Sequence, residues 1–365
     1  MKKFGFGLMR LPMLDGEVDL EQTKQMVDLF IKNGFTYFDT AHLYIDGKSE
    51  IAMREALVKR YPRDSFVIAD KLSWPTFSDA AGVEKVFYEQ LEACGVDYFD
   101  YYLLHAMGSG NRAKYENCGA YEFLAKMKAE GKIRHLGMSF HDSADVLDSI
   151  LTDHPETEFV QLQFNYLDYY SERVQSKACL DVCIKHGKPV VVMEPVKGGR
   201  LANLPAQAHE IFASLGTGAS DASYAIRFAA SEENVFMVLS GMSTLEQMKD
   251  NISFMADFVP LDEKEQAAVA KAREVCNQLD VGMCTGCRYC VAGCPAGIII
   301  PGLMDAMNKK RRHDDEEAAE LYAEATAGGT KASDCLGCGA CEEICPQKLK
   351  IRDMLPGIAK AFGEV

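Results

Sequence analysis

Cysteine is the residue type whose spacing most clearly indicates chemistry in this sequence of 365 residues. Eight of the thirteen cysteines fall into two copies of the pattern Cys-x2-Cys-x2-Cys-x3-Cys-Pro. The two copies are Cys284, Cys287, Cys290, Cys294 and Pro295, and Cys335, Cys338, Cys341, Cys345 and Pro346. Three closely spaced thiolates can bind three corners of an iron–sulfur cubane, and in two-cluster proteins the fourth cysteine of each run binds the other cluster.

This spacing predicts two [4Fe–4S] clusters with crossed ligand sets. The expected sets are Cys284, Cys287, Cys290 and Cys345 for one cluster, and Cys335, Cys338, Cys341 and Cys294 for the other. Zinc is the alternative, because Cys-x2-Cys pairs also form tetrahedral zinc sites. A zinc site uses two cysteines from each segment, however, whereas each segment here has four and ends in Cys-Pro. The pattern therefore favours iron–sulfur.

Composition limits the classes of partner and the compartment. The net charge of −15 argues against nucleic acid and anionic membrane surfaces, which attract basic proteins. No apolar run approaches the 18 residues of a membrane span, and the apolar stretch at the N-terminus is too short for a signal peptide. We therefore predict a cytoplasmic protein. Five further cysteines lie outside the two runs, and we assign them no chemistry. As unpaired thiols they also fit a reducing compartment; they are Cys94, Cys118, Cys179, Cys183 and Cys276.

Short β-rich runs alternate with longer amphipathic stretches before residue 275. Eight runs are predicted as strands: Phe4–Met9, Phe35–Asp39, Phe66–Lys71, Phe99–His105, Arg134–Ser139, Phe159–Phe164, Pro189–Glu194 and Val235–Ser240. Such alternation implies parallel strands joined by right-handed crossovers, and eight units in about 270 residues match a (β/α)8 TIM barrel. A doubly wound open sheet is the alternative. It normally has a Gly-rich phosphate turn after its first strand, and no G-x-G-x-x-G occurs there.

The last 90 residues differ in kind. Residues 302–327, between the two cysteine runs, are rich in Ala, Glu and Met, a helical composition, and Gly328-Gly329 should end the helix. We therefore predict an α/β protein with two domains. Residues 1–275 form the barrel, and residues 276–365 form a mainly helical, ferredoxin-like domain with two clusters.

Polar side chains stand at the predicted strand ends, where barrels of this class place their active sites. Asp39 ends the second strand with Tyr44 shortly after it, Lys71 ends the third, and His105 ends the fourth. Aspartate and lysine are rarely buried unless they are paired. Further candidates on later strands are Ser139, Gln161, Asn165 and Met193.

Asp39, Tyr44, Lys71 and His105 together resemble the Asp, Tyr, Lys and His tetrad of the aldo-keto reductases. The resemblance covers residues 1 to 275, and the whole chain is similar to the bacterial branch that has a C-terminal ferredoxin domain. It implies reduction of a carbonyl by NADH or NADPH. Tyr44 would donate the proton, Lys71 would lower the pKa of Tyr44, Asp39 would hold Lys71, and His105 would orient the carbonyl.

The same resemblance implies a nucleotide site. Ser139 and Gln161 would bond the nicotinamide carboxamide, Asn165 would line the same edge, and Met193 stands where many family members have a stacking aromatic residue. The adenosine end would lie against a late segment that includes Ser240, Gly241, Met242, Gln247 and Asn251. Gly241 and Gln247 replace the two cations that would pair with a 2′-phosphate, which favours NADH unless Lys249 or Arg200 serves instead.

Three functions remain open from the sequence. The first is a carbonyl reductase whose clusters exchange electrons with an external ferredoxin or another carrier. The second is a carbonyl reductase whose clusters are structural or sense redox state, because nicotinamide moves a hydride, a cluster moves one electron, and the sequence contains no flavin signature. The third is a non-enzymatic electron-transfer module on a degenerate barrel. The intact tetrad argues against the third function. The sequence predicts the substrate only as a small carbonyl compound or alcohol.

Overall fold

The structure of the protein is a computed structural model, and it describes residues 1–278, 284–311 and 315–364. The chain forms two compact units. The first, which we call the barrel unit, comprises Met1–Pro195 and Ala222–Gln266. The second, the cysteine unit, comprises Val196–Asp221 and Ala267–Val365. The predicted boundary between residues 275 and 276 falls within a helix, and no sequence pattern predicts that segment 196–221 belongs with the cysteine runs.

Eight parallel strands close into a barrel. With a small hairpin, β2–β3, the strands in chain order are β1 Phe4–Gly7, β2 Met13–Leu14, β3 Glu17–Val18, β4 Tyr37–Asp39, β5 Val67–Leu72, β6 Phe99–Met107, β7 Ile133–Phe140, β8 Phe159–Gln163, β9 Val190–Met193 and β10 Val235–Gly241. The order around the barrel is β1-β10-β9-β8-β7-β6-β5-β4, and β1 pairs with both β10 and β4. This closure confirms the predicted (β/α)8 fold and excludes the open sheet. The hairpin was not predicted.

Helices follow the strands as expected for this fold. Up to residue 255 they are α1 Leu20–Lys32, α2 Lys48–Met53, α3 Ala80–Cys94, α4 Arg112–Asn117, α5 Ala120–Ala129, α6 Ala144–Asp153, α7 Ser176–Lys185, α8 Ala206–Ala213, α9 Asp221–Ala230 and α10 Leu245–Met255. Local sequence sets several of their ends. The Asp79 carboxylate accepts a hydrogen bond from Gly82 N at 2.8 Å where α3 begins, and Gly95, at φ +70°, ends it.

The barrel interior is a packed core, as in other barrels of this class. Its members come from strands all around the barrel and include Tyr37, Leu103, Phe159 and Met237. Gly137 on β7 makes room for this packing, since a Cβ there would lie 2.5 Å from the Phe159 ring. The core rigidly holds the strand ends that carry the candidate site.

The cysteine unit is helical over the part that follows the barrel. Its helices are α11 Glu263–Gln278, α12 Tyr289–Ala292, α13 Ile300–Arg311, α14 Asp315–Thr326, α15 Ala340–Glu343 and α16 Ile351–Ala361. No strand occurs in residues 284–311 and 315–364, which agrees with the predicted helical composition. The predicted helical stretch 302–327 corresponds to α13 and α14, apart from residues 312–314, which lie outside the described residues. Among the helices described, none is long and apolar enough to cross a membrane.

Candidate active site and cysteine cavities

Two neighbouring strands bring an ion pair into the barrel. Asp39 is the last residue of β4, and Lys71 lies near the end of β5, which pairs with β4 through Asp39 and Ala69. Lys71 Nζ is 2.6 Å from Asp39 Oδ1 and also donates to Thr40 O at 2.6 Å. Lys71 is 0% exposed and Asp39 is 3% exposed. Burial raises the pKa of Asp39, although the Lys71 ammonium and the Gln161 amide act to lower it.

Tyr44 lies above this pair in the loop that follows β4. Its backbone N–H bonds Ala41 O at 2.9 Å, and its ring centroid is 4.8 Å from Lys71 Nζ. The pKa of Tyr44 is raised well above 10, first by burial and then by the carboxylates of Asp39, Asp70 and Glu194. The net direction of the pKa shift is therefore opposite to the lowering that was expected from Lys71. Lys71 is neutralised by Asp39, and burial outweighs it, so Tyr44 retains its proton.

His105, near the end of β6, completes the group. Its ring lies edge-on to the Tyr44 ring with the centroids 5.8 Å apart. Burial lowers the pKa of His105 well below 6.5, and Lys71 and His141 lower it further, so the imidazole is neutral. His105 Nδ1 is 2.5 Å from Ser73 Oγ, which fixes the ring and directs Nε2 away from Ser73. The structure thus brings all four predicted catalytic side chains together.

A buried polar layer behind Lys71 was missed from the sequence. Gln90 Nε2 donates to Lys71 O at 3.1 Å and to Glu50 Oε1 at 3.0 Å, and the Tyr102 hydroxyl bonds Gln90 Oε1 at 2.5 Å. Lys71 N donates to Asp70 Oδ1 at 2.8 Å. Burial and the Glu50 carboxylate raise the pKa of Asp70 well above its usual range. The one sequence signal is that Asp70, a charged residue, lies inside a strand.

Two of the predicted nicotinamide residues lie beside the tetrad. Gln161 on β8 donates from Nε2 to Asp39 Oδ2 at 3.1 Å, and Ser139 on β7 is its register partner. Ser139 Oγ accepts from Ala106 N at 2.7 Å, which leaves the hydroxyl proton to be donated elsewhere.

Asn165 lies just after β8, and Met193 is on β9. Asn165 Nδ2 already donates to Asp168 Oδ2 at 2.9 Å and to Glu194 O at 3.1 Å, so a bond to a ligand requires exchange of one of these. Met193, the half-buried last residue of β9, pairs with Gln163 on β8.

The remaining predicted nucleotide residues cluster at the end of β10 and the start of α10. Asn251 Nδ2 donates to Ser240 Oγ at 2.8 Å, Gln247 Oε1 accepts from Ser243 N at 2.7 Å, and Met242 is buried. Gly241 ends β10 and is exposed.

Arg10, a cation that was missed from the sequence, packs against Gly241. A Cβ on Gly241 would lie 3.4 Å from the Arg10 Cβ and Cδ atoms. Ser243 Oγ donates to Arg10 O at 2.8 Å, which ties the two segments together. The sequence signal is that Arg10 follows directly on the first apolar strand.

The cysteine unit brings each predicted ligand set around one cavity. The first cavity has Cys284, Cys287, Cys290 and Cys345 in its wall. The second has Cys294, Cys335, Cys338 and Cys341 in its wall. The same hydrogen bond to sulfur occurs in both cysteine runs. Gly286 N donates to Cys284 Sγ in the first run and Gly337 N donates to Cys335 Sγ in the second, both at 3.5 Å.

The donor chemistry of both cavities fits a thiolate-bound cluster. Burial, together with the neighbouring Cys287, Cys284 and Cys345, raises the pKa of Cys290 to about 12, as expected where four thiols lie close together. A metal bound there must displace the thiol protons. The five cysteines without assigned chemistry, Cys94, Cys118, Cys179, Cys183 and Cys276, are all buried.

Comparisons with known proteins agree with both parts of the chain. The family model described as "Aldo/keto reductase family" matches residues 3–274, and the model described as "4Fe-4S dicluster domain" matches residues 283–349. An oxidoreductase of Schizosaccharomyces pombe that is named as uncharacterized is 25% identical over 292 residues, which are 75% of this chain and 90% of that protein. A methylglyoxal reductase of Escherichia coli is 33% identical over 178 residues, which are 47% of this chain and 57% of that protein.

Solved structures share the barrel fold. An aldo-keto reductase from Klebsiella pneumoniae in complex with NADPH superposes with a TM-score of 0.60 and 22% identity, covering 74% of this chain and 90% of that one. At this identity the likeness establishes the fold alone. The family assignment rests on the matched span 3–274, which is well over half of the 365 residues. The chain is thus a member of the aldo/keto reductase family of oxidoreductases, and it has a C-terminal 4Fe-4S dicluster domain.

Proposed function

We propose that the barrel unit interconverts a carbonyl and an alcohol with NADH or NADPH, and that Asp39, Tyr44, Lys71 and His105 perform the proton chemistry. The observation that supports this most directly is the fully buried Lys71–Asp39 pair beneath the Tyr44 ring. A buried ion pair is expensive to desolvate and is weak evidence for stability. A functional role for its charge explains why it is there.

Each side chain has a separate task in reduction. Nicotinamide, when bound, supplies a hydride with its electron pair to the carbonyl carbon. Tyr44 holds its proton, because its pKa is raised, and delivers that proton to the carbonyl oxygen. Lys71 stabilises the negative charge that then develops on Tyr44, and Asp39 keeps Lys71 oriented. In the tautomer in which the Ser73 hydroxyl donates to Nδ1, neutral His105 has its N–H at Nε2 and offers a hydrogen bond to the same oxygen without transferring its proton.

Ser139 and Gln161 are proposed to orient the carboxamide of the nicotinamide, with Asn165 and Met193 on the same side. Gln161 is suited to this task, because its donation to Asp39 fixes it next to the tetrad. Met193 offers a polarisable thioether in place of an aromatic ring. At the adenosine end, Ser240, Gly241, Met242, Gln247 and Asn251 remain the proposed contacts.

Arg10 changes the expectation for the nucleotide. Its side chain runs along Gly241, the position where the cation for a 2′-phosphate is missing from the sequence. We therefore expect NADPH to bind more tightly than NADH, and Arg10→Gln to remove most of that preference. Isothermal titration with both nucleotides tests this, and Lys249→Gln, titrated in parallel, tests the other candidate cation. Equal affinities of Arg10→Gln and the unmodified protein for NADPH would contradict it.

We further propose that two [4Fe–4S] clusters, held by the crossed sets in the two cavities, relay electrons to or from an external ferredoxin or a similar carrier. Each cavity presents four thiols, and Cys338 of the second is exposed, which gives a carrier access to that cluster. A structural role is the second candidate. Cys290 and Cys341 belong to the hydrophobic core of the unit, so the clusters could serve chiefly to hold it together.

An anaerobic titration of iron-loaded protein with NADH and with NADPH tests the electron relay. Bleaching of the visible iron–sulfur absorption by nucleotide would support it. Nucleotide binding without bleaching, together with carbonyl turnover, would instead favour structural or sensing clusters. Methylglyoxal is a suitable first substrate, because the relative in Escherichia coli is named for its reduction. Absence of turnover with any small aldehyde or ketone would count against the proposed activity of the barrel.

A further inference from the structure

A β-bulge interrupts β6 at the residue that carries the imidazole. The pairing of β6 with β7 shifts its register between Leu104 and Met107. Within this interval, His105 and Ala106 of β6 stand opposite Ser139 of β7, and two residues against one is the pattern of a bulge. Bulges are common next to active sites, where they re-aim a side chain. The chain path at this bulge therefore helps to set the direction of the imidazole.

Ala106, the second residue of the bulge, has a left-handed backbone at φ +54°. This conformation is uncommon for a residue that has a Cβ, and it persists only where the surroundings impose it. The extra residue of a bulge is also left unpaired in the ladder, so other groups must satisfy its backbone N–H and C=O. Contacts from outside the ladder must therefore hold this part of β6.

Three side chains make these contacts. Ser139 Oγ accepts from Ala106 N at 2.7 Å, and Asn111 Nδ2 donates to Ala106 O at 2.8 Å. The Tyr115 hydroxyl donates to His105 O at 2.8 Å. Each of the three bonds joins a side chain to the backbone of the bulge, so together they fix the backbone that carries the imidazole.

Asn111 holds the bulge instead of capping its own helix. It stands in the N-cap position of α4, where an asparagine side chain normally accepts a hydrogen bond from the first turn. Among the residues that the structure describes, its side chain caps no N–H of α4. Its Oδ1 accepts from Gly108 N at 3.0 Å, and its Nδ2 donates to Ala106 O. A reversed amide would place donor against donor and acceptor against acceptor, so these two bonds fix its orientation.

The other two side chains have further roles. The Tyr115 hydroxyl also donates to Leu72 O at 3.1 Å, so it ties the end of β5 to β6. Ser139 is a proposed contact of the nicotinamide. Both bonds of the Asn111 amide, in contrast, go to residues 106–108, directly after the imidazole residue. The effect of Asn111 on the bulge can therefore be measured separately.

We infer that Asn111 is a positioning residue for His105, because its amide holds the bulge that directs the imidazole toward the substrate carbonyl. The inference rests on the proposed function, in which His105 Nε2 donates a hydrogen bond to the carbonyl oxygen. Ser73 fixes the rotation of the ring, whereas Asn111 fixes the backbone that carries it. Without the amide, Ala106 can leave the left-handed conformation and displace the imidazole. A displacement of about 1 Å in a catalytic group can cost about 10²-fold in rate.

The test is a double-mutant cycle on kcat/KM for methylglyoxal reduction by the full-length, iron-loaded protein. Asn111→Asp keeps the acceptor for Gly108 N and replaces the donor to Ala106 O with an oxygen. It should lower kcat/KM by about tenfold or more. In the His105→Ala background the same substitution should change kcat/KM by less than about twofold, because its effect passes through the imidazole. Asn117→Asp, which adds the same charge at an exposed position of α4, should leave kcat/KM unchanged.

The outcomes separate the two proposals. If the unmodified protein turns over no small carbonyl compound, the proposed function fails and the inference fails with it. If the unmodified protein is active and Asn111→Asp matches it, the inference alone is overturned. An equal loss in the His105→Ala background also overturns it, because Asn111 would then act on the barrel as a whole. If Asn111→Asp does not fold, Asn111→Ala removes the same bond without adding a charge and passes through the same cycle, with Asn117→Ala as its control.

Discussion

The two candidate sites of this protein are assembled in opposite ways. In the barrel unit, Asp39, Lys71 and His105 come from three different strands, and a packed barrel core holds them in place. In the cysteine unit, three of the four thiols at each cavity lie within seven residues of one another, as in Cys284–Cys290. The fold of the barrel thus forms the barrel site. Each thiol site, in contrast, is mostly one short loop, so the metal that it binds must help the cysteine unit to fold.

This difference predicts different responses to damage. The barrel has a large apolar core of its own, while Cys290 and Cys341 are themselves core members of the cysteine unit. Loss of one side chain in the barrel should change the catalytic rate or the stability of the barrel and leave the cysteine unit unaffected. Loss of metal from the cysteine unit should affect the whole unit.

The largest expected effect is that of iron removal. Stripping the iron with a chelator under air should leave eight thiols around two open cavities and release the helices α13 to α16, because metal binding and folding are coupled in such units. Hydrogen exchange resolved by peptide would show loss of protection in residues 284–311 and 315–364, with protection retained in the barrel strands. Unchanged protection of α13 to α16 in iron-free protein would contradict the coupling.

Replacement of Tyr44 by Phe should have the next largest effect, and only on the barrel chemistry. Loss of a positioned general acid is expected to lower kcat about 10²- to 10⁴-fold. Iron content and both cluster potentials should stay the same. Steady-state kinetics and the redox titration measure the two parts separately, and Tyr170→Phe, an exposed tyrosine, serves as the control. A retained kcat in Tyr44→Phe would remove Tyr44 from the proposed role.

The buried ion pair should matter more for stability than a surface pair does. Lys71→Met leaves Asp39 buried without its cation and should cost about 3–5 kcal/mol of unfolding free energy in the barrel. The double variant Lys71→Met with Asp39→Asn should recover part of that loss. Lys59→Met, which breaks the exposed pair with Glu55, should cost much less, because solvent screens that pair. Urea denaturation compares them, and equal losses in the two single variants would refute the distinction.

The smallest predicted effect is a pH dependence that comes from His105. Its pKa in the folded protein lies well below 6.5, so on acidification the unfolded chain takes up a proton first. The stability that neutral His105 contributes is present above about pH 6.5 and is lost below it, by at most ~1.4 kcal/mol per pH unit, until the lowered folded pKa is reached. Unfolding of the unmodified protein and of His105→Gln at pH 7.5 and 5.5 tests this. Identical slopes for the two proteins would contradict it.

Much of the fold was predictable from local pattern. Each of the eight predicted strands overlaps an observed strand, and the ends differ by no more than two residues. Alternation of buried strands with amphipathic helices is a strong signal, because the periodicities of the two elements differ. The hairpin β2–β3 was missed, since its strands are two residues long and mostly exposed, so they show no alternation.

The candidate site was predictable in its residue types but less so in its electrostatics. A lysine and an aspartate at adjacent strand ends predict a pair, and the structure contains that pair. The pKa of Tyr44 was predicted in the wrong direction, because sequence gives no measure of burial and no view of Asp70 or Glu194. Arg10 was also missed, since its approach to Gly241 depends on the pairing of β1 with β10 across more than 230 residues.

The sequence by itself determined the cysteine pattern, the alternation that makes a barrel, and the presence of four polar side chains at three strand ends. These are local properties, because spacing, periodicity and strand ends are read from neighbouring residues. Only the tertiary structure decided that both thiol sets converge on cavities, and that burial keeps Tyr44 protonated and His105 neutral. Those facts depend on distances between segments far apart in the chain, and pKa values and cluster potentials depend on such distances and on the exclusion of water.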